Sequence, residues 1–339
     1  MKSYWRLKLK MGLRLLASRK ITARKLFNLA RCIYAHLRRR QVTGAYPAII
    51  FFEPTNRCNL WCRACRASQT EPFNQSPQNQ GSFIPVGSMP AEMFKEIIDQ
   101  VKSHLCLATL YVNGEPLLRK DLAELIGYAN QRHVGTMIST NGNLLTEEAS
   151  AQLLDAGLDM IKFALSGFSQ KVYEHQHRGG DIERVKANLR SLVRIHRERR
   201  SSALIMVDYI IFEHNQHEAA LWQELCEQLG VMFNIRQGIS GGHDGLEELY
   251  GGFSPAETLC DWPWKTLTVN WDGSIFPCCE YAMWLEAKEV VHYQVGVTNI
   301  KEIWNGDRFQ ALRRVHLDKG RQAIPTCAVC HNQGLRPQA

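Results

Sequence analysis

The sequence predicts an α/β fold: a partial (β/α)6 barrel, a basic helical arm before it and a small cysteine-rich domain after it. Three observations carry that expectation. Between residues 46 and 238, short apolar runs alternate with segments of helical period, a pattern that demands a parallel sheet with helices outside it. Residues 239–258 are rich in glycine and read as a linker to residues 259–339, where Cys260, Cys278, Cys279, Cys327 and Cys330 lie. Residues 1–45 form an arm whose first 40 positions hold thirteen Lys and Arg and no acid, the first acid of the chain being Glu53.

Within the arm, Trp5 to Leu16 alternates apolar and basic residues, which suits a strand or an interfacial helix equally. Thr22 is placed to cap a helix in which Leu26, Phe27, Ala30, Ile33, Tyr34 and Leu37 recur at helical spacing, with Arg24, Lys25, Arg31 and Arg38 between them. Such a helix packs its stripe on the barrel and turns its charges to water, or lies on anionic lipid. A transit peptide shares the composition, and nucleic acid is a further, less expected partner for the charge.

Strands are expected at 48–53, 107–112, 134–139, 160–165, 204–212 and 232–235. Helices are expected at 90–104, 120–132, 146–156, 182–200 and 217–229, with Thr146 as a cap and Glu147 and Glu148 favouring the helix dipole. Residues 69–88, rich in Gln, Asn, Ser, Pro and Gly, read as a long loop. In the last domain, 265–269 and 274–278 form a hairpin about Asp272-Gly273, and a helix ends near His316.

At 339 residues and 45 % hydrophobic, the chain can bury one large core and a smaller satellite. Among its eleven cysteines, two tight clusters, 58/62/65 and 278/279 with 327/330, have metal-ligand spacings rather than those of dispersed pairs, so a reducing cytosol is the expected compartment. No apolar run reaches the ~18 residues of a membrane span. The net charge of +8 is an average over a basic arm and a mildly acidic body, because the remaining 28 basic residues face all 33 acids.

Chemistry in a barrel of this kind collects at the C-terminal ends of the strands, and Cys58, Gly114, Asn141, Ser166 and Asn215 all fall there. Taken singly they read as turn glycines and caps; together they outline a rim. Cys58, Cys62 and Cys65 are spaced C-x3-C-x2-C directly after the first strand. Three thiolates leave one iron of a four-iron cluster open, whereas a structural zinc site is closed by four ligands.

This spacing, with Asn59 after Cys58, resembles the radical S-adenosylmethionine (SAM) superfamily. Asn113-Gly114-Glu115-Pro116 looks like its G-G-E-P segment, whose backbone and carboxylate hold the SAM amino group. Ser139-Thr140-Asn141-Gly142 looks like its ribose-contacting strand end, and Arg178-Gly179-Gly180, after Ser166, like the segment whose Arg meets the SAM carboxylate. Two departures touch the adenine pocket: Ala64 stands where an aromatic is usual, and Asn113 replaces the first Gly. Cys260, Gly273-x4-Cys278 and Cys327-x2-Cys330 resemble the auxiliary-cluster domain of the SPASM/twitch subfamily, in the smaller twitch form with one auxiliary cluster. A zinc ribbon also suits those four thiols, and a zinc-ribbon RNA-binding protein is the reading from another class.

The resemblance implies a [4Fe-4S] cluster on Cys58, Cys62 and Cys65 that binds SAM and delivers an electron into its sulfonium. It also implies a second, auxiliary [4Fe-4S] cluster on Cys260, Cys278, Cys327 and Cys330, and a one-electron donor such as flavodoxin or ferredoxin. Asn113, Gly114, Glu115, Pro116, Ser139, Asn141, Ser166, Arg178 and Asn215 would surround SAM. Related twitch enzymes oxidise or epimerise alcohol carbons, and larger SPASM relatives modify peptides. A small hydroxylated, carbohydrate-like substrate is therefore expected, with peptide maturation as the alternative. Cys279, beside the ligand Cys278, is the candidate hydrogen-atom donor, because adjacent residues on an extended segment face opposite sides. The bland readings are a buried apolar thiol or a ligand role in place of Cys278.

Overall fold

A computed structural model describes residues 2–63, 65, 85–237, 259–282, 291–328 and 330. The expected linker at 239–258, most of the 69–88 loop and Ala64 lie outside the described residues. Two arm helices, α1 (Lys2–Ala17) and α2 (Ala23–Leu37), precede β1 (Ile49–Phe52) and α3 (Ala91–Val101). Then come β2 (Leu107–Leu110), α4 (Leu122–Gln131), β3 (Gly135–Thr140), α5 (Glu147–Asp155) and β4 (Met160–Leu165). The barrel part closes with α6 (Gln170–Gln176), α7 (Ile182–Glu198), β5 (Leu204–Ile211), α8 (Ala219–Leu229) and β6 (Met232–Gln237). Beyond it lie β7 (Thr266–Val269), β8 (Ser274–Phe276), α9 (Cys279–Ala282), β9 (Val291–His292), α10 (Ile300–Asn305), α11 (Asp307–Asp318) and α12 (Pro325–Ala328).

The nine strands among the described residues join one sheet in the order β6-β5-β4-β3-β2-β1-β7-β8-β9. Strands β1 to β6 are parallel and sequential, giving a partial, unclosed barrel. The expected C-terminal hairpin forms, but its first strand pairs in parallel with β1, Phe51 opposite Thr268, so the barrel sheet runs on into the cysteine-rich part.

Strand alternation sorts the side chains into two layers. Ile50, Phe52, Leu110, Ile138, Ile161, Phe163, Val207 and Tyr209 face the helices and form the main core. The opposite face lines the lumen. At its N-terminal end Met160 and Met206, with the partly buried Met137 and Met232, meet Met11 and Leu15 of α1, which thereby stops that end of the barrel. Gly135 makes room there, since a Cβ on it would come within 2.6 Å of Leu15.

The arm is thus helical and docked. Asp159 receives Lys20 Nζ at 2.6 Å and Arg14 at 3.3 Å, and the Lys25 ammonium donates to the carbonyls of Lys20 and His133. Thr22 caps α2, accepting from Lys25 N. The orientation of α2 differs from the packed-stripe expectation: Lys25, Asn28, Cys32 and Ala35 are buried, while Leu26, Phe27, Tyr34 and Leu37 are exposed. Partners on the barrel decide this, because Asn28 bonds Tyr46 and His104 through the backbone while Lys25 finds carbonyls, so the polar face docks.

Candidate active site

The loop after β1 carries the three thiols and is held from three sides. Asn56 accepts from Gly87 N at 2.9 Å and donates to Pro85 O at 2.7 Å, and Thr55 donates to Gly87 O. Trp61 N and Arg63 N donate to the carbonyls of Arg178 and Gln176, so the segment past α6 lies along the loop backbone. Gly179, at φ +82°, is pressed on the Trp61 ring, where a Cβ would stand 2.4 Å away. On the third side Glu115 N donates to Arg57 O at 2.8 Å.

The residues expected about SAM form the rim of the same bowl. Gly114 has φ +72°, and a Cβ there would meet Thr55 O at 2.5 Å and Arg57 O at 2.6 Å, so its backbone seats directly on the thiol loop. Asn113 donates through N and Nδ2 to Glu53, which also accepts from Trp271 N; the buried Glu53, not singled out from sequence, ties β1, the post-β2 turn and the C-terminal hairpin together. Pro116 is buried at the start of a short 3-10 turn. The Glu115 carboxyl is wholly buried and accepts from the Thr140 hydroxyl, Leu117 N and Asn141 N. Burial raises it to about 7, against the lowering effect of those donors. Asn141 donates to Asn59 at 2.9 Å, linking the β3 end to the thiol loop, and Ser139 faces the lumen half-buried.

Arg178 offers its carbonyl to the loop and leaves its side chain exposed. Asn215 is drawn into its own turn, accepting from Phe212 N and donating to Ile210 O, so both ends of its amide are occupied. The Ser166 hydroxyl, at the end of β4, is buried with no partner among the described residues.

The thiols fit an iron–sulfur ligand set in chemistry. Burial raises Cys58 to about 12 and holds Cys62 well above the ordinary thiol value, and each is raised again by its neighbours in the triad, as uncompensated thiolates held together would be. Leu60 N donates to Cys58 Sγ at 3.5 Å, a bond that favours the thiolate form. Among the described residues no three His, Cys, Asp or Glu side chains are closed around one metal-sized point. His177, which spacing gave no reason to select, stands 3.4 Å from Cys62 Sγ through Nδ1; burial holds it down to about 4, and Arg236 adds to the effect.

The second group gathers Cys260, Cys278, Cys327 and Cys330, since the Cys278 thiol feels Cys260 and Cys330, and Cys327 feels Cys330. Buried Arg321 donates to the carbonyls of Cys327 and Cys330 and opposes the rise of Cys260 and Cys327. Cys279 opens the short helix α9 rather than continuing an extended strand, so the alternation from which its orientation was inferred does not hold there. It is nevertheless buried, and it adds to the rise that burial imposes on the Tyr111 phenol.

Between the two groups the lumen is polar. Asp208 accepts from Asn234 Nδ2 at 2.7 Å and Arg236 Nε at 2.8 Å, and Lys162 Nζ stands 3.5 Å away. Lys162 also donates to the Tyr111 hydroxyl at 3.4 Å and lies 4.8 Å from its ring centroid. None of these lumen residues stood out in sequence, where Lys162 and Asp208 are each one polar residue in an apolar run and Asn234 and Arg236 alternate with apolar neighbours.

The radical SAM superfamily model matches residues 52–217, and the model of an iron–sulfur cluster-binding domain, SPASM, matches residues 260–331. An AdoMet-dependent heme synthase of Methanosarcina barkeri is 28 % identical over 188 residues, 55 % of this chain and 49 % of its own. Mycofactocin maturase MftC of Mycobacterium ulcerans is 28 % identical over 221 residues, 64 % of this chain and 54 % of its own. The chain therefore spans about half the length of these curated relatives. SuiB of Streptococcus suis, in its structure bound to S-adenosylmethionine, shares the fold with a TM-score of 0.65 over 88 % of this chain and 75 % of that one, at 12 % identity. The SPASM match sets the C-terminal thiols in an iron–sulfur domain rather than a zinc ribbon. The two matched models, the partial parallel barrel and the paired thiol groups lead to one conclusion: the chain belongs to the radical SAM superfamily, with a SAM-binding [4Fe-4S] cluster in its barrel and auxiliary iron–sulfur binding in its SPASM domain.

Proposed function

We propose that this enzyme takes a hydrogen atom from a small, polar, hydroxylated substrate held in the barrel lumen, giving net oxidation or epimerisation. The observation that carries the reading is the polar layer of Lys162, Asp208, Arg236, Asn234 and Tyr111 between the two thiol groups, where hydroxyls would find both donors and acceptors. When bound, the cluster and SAM supply the 5′-deoxyadenosyl radical. Cys58, Cys62 and Cys65 would hold the first cluster, and Cys260, Cys278, Cys327 and Cys330 the second. Gly114 seats the post-β2 turn on the thiol loop, and the unpartnered Ser166 hydroxyl would be available to bond SAM. Asn113, Glu115, Pro116, Ser139, Asn141 and Asn215 shape the rim behind those contacts, and Arg178 would turn its exposed side chain to the SAM carboxylate. In this reading Cys279 would give its S–H hydrogen to a substrate carbon radical, leaving a thiyl and an epimerised product; its burial near the Tyr111 phenol supports that role.

Peptide modification is the second reading, favoured by the 28 % identity to mycofactocin maturase MftC. We place the reaction in a reducing cytosol, with electrons from a flavodoxin or ferredoxin. The test is 5′-deoxyadenosine formation by the anaerobically purified enzyme with panels of polyols, sugars and peptides. Stimulation by a polyol or sugar, with KM raised in Lys162→Met, is expected. Stimulation by peptides alone would replace the first reading with the second.

A further inference from the structure

The arm turns an unusual surface to the outside. Half of the fourteen exposed large hydrophobic side chains among the described residues lie on α1 and α2. On α1, Met11 and Leu15 enter the barrel end, and Leu9, Leu13 and Leu16 stand on the far side of the helix. On α2 the docked face is Lys25, Asn28, Cys32 and Ala35, nearly opposite Leu26, Phe27 and Leu37, of which Phe27 is 66 % and Leu37 68 % exposed.

The charges divide in the same way. Lys20 and Arg14 are spent on Asp159, and Lys25 on carbonyls. Lys10, Arg19, Arg24, Arg31, Arg38, Arg39 and Arg40 remain exposed, with no acid anywhere in residues 1–52. Arg31 sits over the Phe27 ring at 5.9 Å, and Arg38 and Arg40 over Tyr34 at 5.8 and 5.0 Å, so guanidinium groups edge the apolar stripe. Both helices dock at the N-terminal ends of the strands, α1 on Met160, Met206 and Met232 and α2 on residues just before β1, β2 and β3, which leaves the thiol bowl facing the other way.

We propose that the outer face of α1 and α2 docks on an anionic lipid bilayer, its leucines and Phe27 entering the headgroup boundary and its arginines meeting lipid phosphates. Apolar side chains edged by arginine, with no acid among them, match the two requirements of an interfacial helix: buried apolar area and attraction to anionic lipid. The docked orientation holds the catalytic bowl open to the aqueous side.

The test is co-sedimentation of the anaerobic holoenzyme with vesicles of equal parts phosphatidylglycerol and phosphatidylcholine, against phosphatidylcholine alone, at low and high salt. Binding to the anionic vesicles is expected, falling with salt and falling more than about tenfold in Phe27→Glu/Leu37→Glu. Unchanged SAM cleavage in that variant shows that the fold is kept. Pelleting with neither vesicle, or equally with both, overturns the proposal. So does light scattering that shows a dimer which the same double substitution dissociates while vesicle binding is absent. Substrate panels that fail would count against the proposed reaction and leave this docking untouched.

Discussion

Gly114→Ala is the substitution whose cost follows most directly from the structure. The residue holds φ +72°, a left-handed conformation that costs an L-residue about 1–2 kcal/mol. The new Cβ would lie 2.5 Å from Thr55 O, 2.6 Å from Arg57 O and 2.8 Å from the Asn56 carbonyl carbon. All three are backbone atoms, so no side chain can rotate away, and overpacking of that kind adds about 1–3 kcal/mol. The total, about 2–5 kcal/mol, falls on the loop between β1 and Cys58. The expected result is an unfolding midpoint lower by roughly 4–10 °C, with iron and sulfide per chain reduced because the thiol loop is displaced. Gly127→Ala is the control: it lies within α4 with nothing within 4 Å of its added Cβ, and should gain up to about 1 kcal/mol of helix propensity. A Gly114→Ala enzyme with wild-type midpoint and full iron would refute the close seating of this turn on the loop.

Three further outcomes are expected. Burial lifts Glu115 from 4.5 to about 7, so the folded state binds the proton more tightly than the unfolded one. Its contribution is greatest below the unfolded value, is lost as pH rises from 4.5 to about 7 and is then constant; about 3 kcal/mol of stability is involved. Glu115→Gln should flatten that part of the stability–pH profile, and an unchanged slope would show that the carboxyl is not held as described. Asp159→Asn leaves buried Lys20 without its counter-charge and should cost about 3–5 kcal/mol by thermal unfolding; no loss would mean that the arm is not anchored there. With a substrate that epimerises, product formed in deuterated water should carry deuterium at the reacting carbon and lose it in Cys279→Ala, whereas an oxidised product indifferent to that change removes Cys279 from the chemistry.

The parallel barrel was legible because each strand is a short apolar run bounded by turn residues. Met160–Leu165 appears as expected, and the other five barrel strands differ only at their ends. Periodicity found the stripe on α2 but not its direction, which depends on Asn28 and Lys25 meeting carbonyls far along the chain. Helix α6, one turn too few for a clear period, went unmarked, as did the parallel pairing of β7 with β1, a contact between residues more than two hundred positions apart. At the site, the cysteine spacing pointed to the two thiol groups, since C-x3-C-x2-C and C-x2-C can each be read within a few residues of sequence. The polar lumen and His177 were not legible, because Lys162, Asp208 and Arg236 meet only when three strands are set in register.

The central claim, that Cys58, Cys62 and Cys65 carry SAM cleavage apart from the auxiliary site, is tested most directly by one measurement. Wild type and the Cys58→Ala/Cys62→Ala/Cys65→Ala variant are purified anaerobically, given a chemical reductant and SAM, and assayed for 5′-deoxyadenosine and for bound iron. The expected result is 5′-deoxyadenosine from the wild type alone, with the auxiliary iron retained in the variant. Wild-type 5′-deoxyadenosine formation by the triple variant would contradict the assignment.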